Sequence, residues 1–317
     1  MKKISFIIVI IFFNYSCENM ETVVDLEIPD TQSVLVLNTT LETDKPVQVL
    51  ISNSVNSFSQ SLPMCIADAE LLFYENDDFI DTLKLNSDSL INYYVYSNGN
   101  IDSIPMNFYE LDYTPQKDTY YKIEAKHSNY PSVFARTYIP NDVDIEYEID
   151  LSNEDLIGLE LSFDDNVSQD NYYRLKLYSS CSKEWENEEG ELEIYYWDGF
   201  VEMLSNDPSF PSGIPWEGYT FSGSQVVFSD ALFNGMHKDI RIDIESGGYS
   251  YGDCDTVRVQ FSVFSSDTYL YYNSLEEHRE NGPASIFGGE VVPVYSNIEN
   301  GLGSIISINA QEIQIKP

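Results

Sequence analysis

The sequence predicts an all-β protein: two antiparallel β-domains in series, the second carrying one helix. Three observations lead there. Tyrosine (24) and phenylalanine (17) are abundant, and aromatic side chains suit a pleated, half-buried surface. Short runs of β-branched and aromatic residues recur along the chain, bounded by Asn, Asp, Ser, Gly or Pro. One stretch alone, near residue 270, spaces its apolar residues for a helix. The 317 residues exceed the ~250–300 at which a single core stops growing, so two cores are expected.

The chain opens with Lys2 and Lys3, then an unbroken apolar run from Ile4 to Phe13. A spanning helix needs ~20 residues, so the run has the size of a signal-peptide apolar region. Small Ser16 precedes Cys17, and an acidic segment follows at once. A cysteine there is the residue that a bacterial lipoprotein acylates, because a thiolate is the nucleophile that takes up the lipid. Asn14 stands where such signals usually carry leucine. Residues 1–16 thus read as a lipoprotein signal peptide and 17–30 as lipid anchor and tether. Two or three acyl chains on Cys17 exceed the threshold for stable anchoring.

Strand runs follow at 33–41, 46–52, 69–76, 79–85, 91–97, 119–127 and 132–140. Seven such runs with frequent turns predict an immunoglobulin-like or transthyretin-like antiparallel β-sandwich over 31–140. A boundary falls at Pro140 to Asp144. Residues 141–317 then form a second antiparallel β-sandwich or barrel-like domain, with runs at 156–163, 172–180, 191–197, 225–229, 239–246 and 256–265. Its helix lies near 267–280. Ser/Asp caps precede it, Leu270, Tyr271 and Leu275 form its apolar stripe, and Gly282-Pro283 stop it. Asn300-Gly301 fits a tight hairpin turn, and Gly303 a bulge beside it.

Charge narrows the function. The formal net charge is −37, so nucleic acid is excluded as a partner, since binding it requires a basic footprint. Anionic lipid headgroups also repel such a body, so it stands off the membrane on its anchor.

Chemistry is harder to find. After Cys17 remain Cys65, Cys181 and Cys254, without metal-ligand spacing. Beyond the inner membrane disulfides form. Cys181 and Cys254 are the candidate pair, with paired and free states equally open, and Cys65 is expected as a buried small hydrophobe. His127, His237 and His278 form no ligand motif and read as surface histidines. The acidic turns at 75–79 and 163–166 lack the spacing that wraps calcium, so hairpin turns explain them. No metal or cofactor is expected, and no catalytic residue emerges. The recognition candidate is the loop 205–223, with Pro208, Pro211 and Pro215 to stiffen it and Phe210, Trp216 and Tyr219 to display. Long loops often bind and aromatic anchors dominate interfaces. A lid over the domain's own core explains the same residues.

The combination "SCENMETVVDLEIPD", "NYYRLKLYSS", "FSDALFNG", "FSVFSSDTYLYYNSLEEH" and "VVPVYSNIENGLG" resembles the domain-of-unknown-function family numbered 4249, lipoproteins of Bacteroidota, over essentially the whole mature chain. The resemblance implies an outer-membrane lipoprotein, encoded beside a TonB-dependent receptor and without established enzymatic activity. The expected function is therefore a non-enzymatic accessory subunit that helps such a receptor capture or admit cargo. The alternatives are a surface hydrolase of glycans or peptides using carboxylates, or a structural or adhesive surface protein.

Overall fold

The computed structural model describes residues 32–56, 61–97, 100–153, 156–186, 190–212, 218–245, 253–280 and 292–315; Cys17 and the tether lie outside them. Alternation builds the first strands. In β1 (Leu35–Glu42) and β2 (Val47–Asn53), residues Leu35, Leu37, Leu41, Val47, Val49 and Ile51 point inward and are buried. Asn38, Thr40 and Gln48 alternate with them on the outward face. A tight turn links β3 (Glu70–Glu75) to β4 (Asp78–Leu85), with φ of 47° at Asn76 and 70° at Asp77. Asn and Asp tolerate that left-handed backbone. The acidic turn at 75–79 is thus a hairpin corner, with Asp77 paired to Arg136 at 2.7 Å.

β5 (Ile91–Ser97) and β6 (Asn100–Met106) form a separate ribbon. β7 (Phe108–Leu111), β8 (Thr119–His127) and β9 (Tyr130–Ile139) complete the first sandwich. One layer runs β1-β2-β7 and the other β4-β3-β8-β9, and β4 joins them by pairing with β7. Phe73, Tyr121, Ile123 and Val133 lie in the core between.

The second sandwich has one sheet of β10 (Glu146–Asp150), β11 (Leu156–Asp164), β14 (Met203–Ser205), β15 (Phe221–Gly223) and β17 (His237–Glu245). The other contains β12 (Tyr172–Glu186), β13 (Leu192–Phe200), β16 (Gln225–Ser229) and β18 (Asp253–Phe264). Phe163, Tyr173 and Phe261 fill the core, with Phe163 5.0 Å from Tyr173 and 5.1 Å from Phe261 between ring centroids. The sheets stack as a sandwich and do not close into a barrel.

The single helix among the described residues is α1 (Ser266–Glu280). Ser265 caps it, accepting the Thr268 N–H on Oγ. The stripe expected from Leu270 is not its buried face, since Leu270 is exposed. Instead Thr268 is fully buried and Tyr272 stacks on Phe264 at 5.3 Å.

The last strand, β19 (Leu302–Ile315), changes the domain division. Its first half pairs in parallel with β1, from Val36–Leu302 to Glu42–Ile308. Its second half pairs antiparallel with β18, from Phe264–Ile308 to Val257–Ile315. Ile305 therefore belongs to the first core, and Ile313 and Ile315 to the second. A boundary at 140 with an independent 141–317 is corrected accordingly: the chain returns to complete the first sandwich. The hairpin expected at Asn300-Gly301 is likewise a corner into this strand. Asn300 has positive φ (60°), but Gly301 is needed for close approach, since a Cβ there would lie 2.7 Å from the Leu35 carbonyl oxygen. Gly303, at φ 99°, would place one 2.2 Å from the Leu37 oxygen.

Candidate partner-binding site

The loop singled out in the sequence divides on folding. Phe210 is buried in the second core, 5.1 Å from Phe228 and 5.4 Å from Phe221 between ring centroids. It is a core residue and does not face a partner, which corrects its expected role. The loop's start is clamped as well. Lys238 Nζ donates to Asp207 Oδ2 at 2.6 Å and Oδ1 at 2.8 Å, with both side chains nearly buried. Tyr219, half-buried, donates its hydroxyl to Asp243 Oδ2 at 2.7 Å. Trp216 lies outside the described residues. The structure brings Phe210 into the core and ties Tyr219 to Asp243, and an exposed aromatic surface lies elsewhere among the described residues.

That surface is the hairpin of β12 and β13. The N-terminal part of β12 is central, between β16 and β18, and Tyr173, Leu175 and Leu177 are fully buried. Past Cys181 the strand leaves the core, and Lys183 to Glu186 are exposed. On one face of the ribbon stand Trp185, Tyr195 and Trp197, with Lys183 opposite Tyr195 and Glu193 opposite Trp185. Tyr195 and Trp197 stack at 5.8 Å. Together these residues line an open groove of about 700 Å³. On the other face Leu192, Ile194 and Tyr196 are exposed, Tyr196 by 71%. Apolar side chains displayed on both faces of one ribbon mark an interaction surface. β13 is also the last strand of its sheet among the described residues. Its outer backbone groups are a template for an added strand.

A free two-stranded hairpin is marginally stable in water. Here a disulfide between Cys181 and Cys254 staples β12 to β18 at the ribbon's base. Gly199 of β13 leaves room for it; a Cβ there would lie 3.0 Å from Cys181 Sγ. Cys65, by contrast, is half-buried near the Asn107 carbonyl, not a closed core residue.

Several other titratable groups are tied into the fold. Asp165 accepts the Tyr173 hydroxyl and the Gly235 N–H, and Asp230 accepts the Asn171 N–H. Burial, with Asp165 nearby, pushes the Asp230 carboxyl above its usual range. His127 reaches Asp68 with its ring mostly covered, and His278 bonds the Val292 carbonyl oxygen. His237 lies between Asp164 and Asp239, and its hydrogen bond to Asp164 raises its pKa. Among the described residues no group of three or more His, Cys, Asp or Glu is arranged to hold a metal ion.

Sequence reasoning placed a strand at 191–197 but missed the ribbon as a surface. The signal was present: Leu192, Ile194, Tyr195, Tyr196 and Trp197 break the alternation that a one-sided strand requires. No helix among the described residues is long and apolar enough to cross a membrane. No curated protein matches the chain. The family model described as Domain of unknown function (DUF4249) matches residues 21–314, nearly the whole chain, and the protein belongs to that family.

Proposed function

We propose that this protein is an outer-membrane lipoprotein, held by acyl chains on Cys17 and facing the cell surface, that serves as a non-enzymatic accessory subunit of a TonB-dependent transport system. The observation that carries the reading is the disulfide-stapled ribbon, with Trp185, Ile194, Tyr195 and Tyr196 each at least half exposed. Its occupant is an extended segment of the receptor that adds to the β13 edge and seats apolar side chains against Trp185 and Tyr195. The Glu184, Glu186 and Glu193 carboxylates on the ribbon select a segment that also carries basic residues. The receptor's identity comes from the family resemblance; the docking surface comes from the ribbon. The reading requires no cofactor and no nucleic acid.

The test is affinity purification of the tagged full chain from native membranes. A co-purifying β-barrel receptor is expected. Interface aromatics typically cost ~2 kcal/mol or more on truncation, so W185S/Y195S should remove most of the receptor while leaving the thermal melt unchanged. Retention of the receptor by that variant rejects the ribbon as its contact. Mass spectrometry of the mature N-terminus checks the anchor: an unmodified N-terminus at another residue rejects it.

A further inference from the structure

We propose that a second cleft, on the outer face of the first sandwich, binds a neutral polyhydroxylated ligand, a short stretch of oligosaccharide. The cleft has a volume of about 470 Å³, within the ~300–1,000 Å³ of small-molecule sites. Its floor is the outward row of β1 and β2, with Asn38, Thr40, Gln48 and Ser52, and Ser304 of β19 beside Asn38. Its walls are mainly aromatic, with Tyr93 and Met106 from the β5–β6 ribbon, Phe108 at the start of β7, and Tyr271 from α1, and Leu50 and Ile306 add apolar surface.

The lining carries no charged side chain, although 22% of the chain is Asp, Glu, Lys or Arg. Two other clefts among the described residues differ: one includes Arg136, Asp170 and Asp267, and the ribbon groove includes Lys183 and Glu193. This selects the ligand's chemistry by exclusion. An anion is repelled by a body of net charge −37 and finds no cation in the lining. A cation finds no carboxylate there to pair with. A purely apolar ligand would strip water from amides and hydroxyls without replacing their hydrogen bonds, which costs free energy. A neutral sugar satisfies both parts, because its hydroxyls donate and accept while its C–H faces lie on aromatic rings.

The polar floor is also pre-aimed. Asn38 Oδ1 accepts the Ser304 N–H at 3.2 Å, which orients its amide and leaves Nδ2 to donate. Gln48 Nε2 donates to Glu110 Oε1 at 2.9 Å, which leaves its own Oε1 to accept. A fixed donor and a fixed acceptor on rigid strands lower the ordering cost of binding. Tyr93 is 46% exposed, so its ring stands as a platform and not as core. The cleft is separate from the β12–β13 ribbon, so the two readings stand or fall independently.

The experiment is calorimetric titration of the detergent-solubilised full chain with a panel of neutral tetrasaccharides: α- and β-linked glucans, mannans and galactans. A polyoxyethylene detergent is required, because a glycoside detergent would itself present the ligand's chemistry. Tetragalacturonate serves as the anionic control. Saturable binding of at least one neutral member is expected, with none for tetragalacturonate. Y93A should weaken that binding about tenfold, equivalent to ~1.4 kcal/mol, and Q48A should weaken it as well, both with unchanged melts. Binding by no neutral member overturns the proposal. So does equal binding of tetragalacturonate, or neutral binding unaffected by both variants.

Discussion

Replacing Thr268 by valine isolates the hydroxyl junction that joins the two sandwiches. Thr268 is fully buried at the first turn of α1. Its Oγ1 donates to the Ser307 carbonyl oxygen at 2.9 Å and accepts the Ser307 N–H at 2.9 Å. Ser265 Oγ lies 2.9 Å away. Ser307, also fully buried, donates its own hydroxyl to the Tyr138 carbonyl oxygen at 2.6 Å, so the chain of bonds reaches β9. Valine keeps the shape and removes the hydroxyl, which strands both backbone groups of Ser307. A buried group left unpaired costs ~1–3 kcal/mol, so the expected loss for the two is about 2–6 kcal/mol. At ~2–4 °C per kcal/mol for a domain of this class, a loss of ~3 kcal/mol lowers the melt by roughly 6–12 °C. Thr268→Ser is the control: it keeps the hydroxyl and loses one methyl, worth about 1 kcal/mol. Melts followed by far-ultraviolet circular dichroism separate the two. If valine costs no more than serine, the hydroxyl junction is not what holds β19 against α1, and the reasoning fails.

Three further outcomes follow from buried groups and the staple. Lys238→Met leaves Asp207 charged and without its cation in a nearly buried site, which should cost ~3–5 kcal/mol in a denaturant titration; a neutral result would mean that water reaches Asp207. Asp230 has a folded pKa raised above its unfolded value, so its burial favours the fold in acid, and that contribution is lost as pH rises through the folded pKa. Asp230→Asn should therefore raise stability at neutral pH, with the gain shrinking toward acid; a gain independent of pH would refute the assignment. The double variant C181S/C254S should cost ~2–4 kcal/mol and speed amide exchange in 181–186 and 192–197 more than in β11 or β17; uniform change would show that the staple does not hold the ribbon.

Local patterns were legible because they are written in adjacent residues. β2, β8 and β16 fall within a residue or two of the runs read from the sequence, since inward and outward side chains alternate there. The helix was also legible, because Ser265 and the acidic first turn are local signals. Some of the strands missed owe their structure to distant partners, whereas β6 and β10 were missed although they pair with their chain neighbours β5 and β11. β14 and β15 are three residues each, and β14 pairs with β15 on one side and β17 on the other. Phe210 illustrates the same limit at the site: an aromatic residue between prolines reads as displayed, and only the position of Phe221 and Phe228 around it makes it core.

The sequence by itself determined the class, because composition and period-two patterning depend on nothing beyond the neighbouring residues. It also determined the anionic surface, because a net charge of −37 cannot be hidden by any fold. The tertiary structure alone decided which strands meet. Val36 and Leu302 are adjacent in space and 266 residues apart in the chain, and no local pattern encodes that pairing. From it follow the shared strand β19, the chargeless cleft over β1 and β2, and the division into two cores that a boundary at 140 does not capture. The ribbon has the same origin. Its residues spell a strand, but only the staple to Cys254, 73 residues away, and the ending of the core at Cys181 turn that strand into an exposed surface.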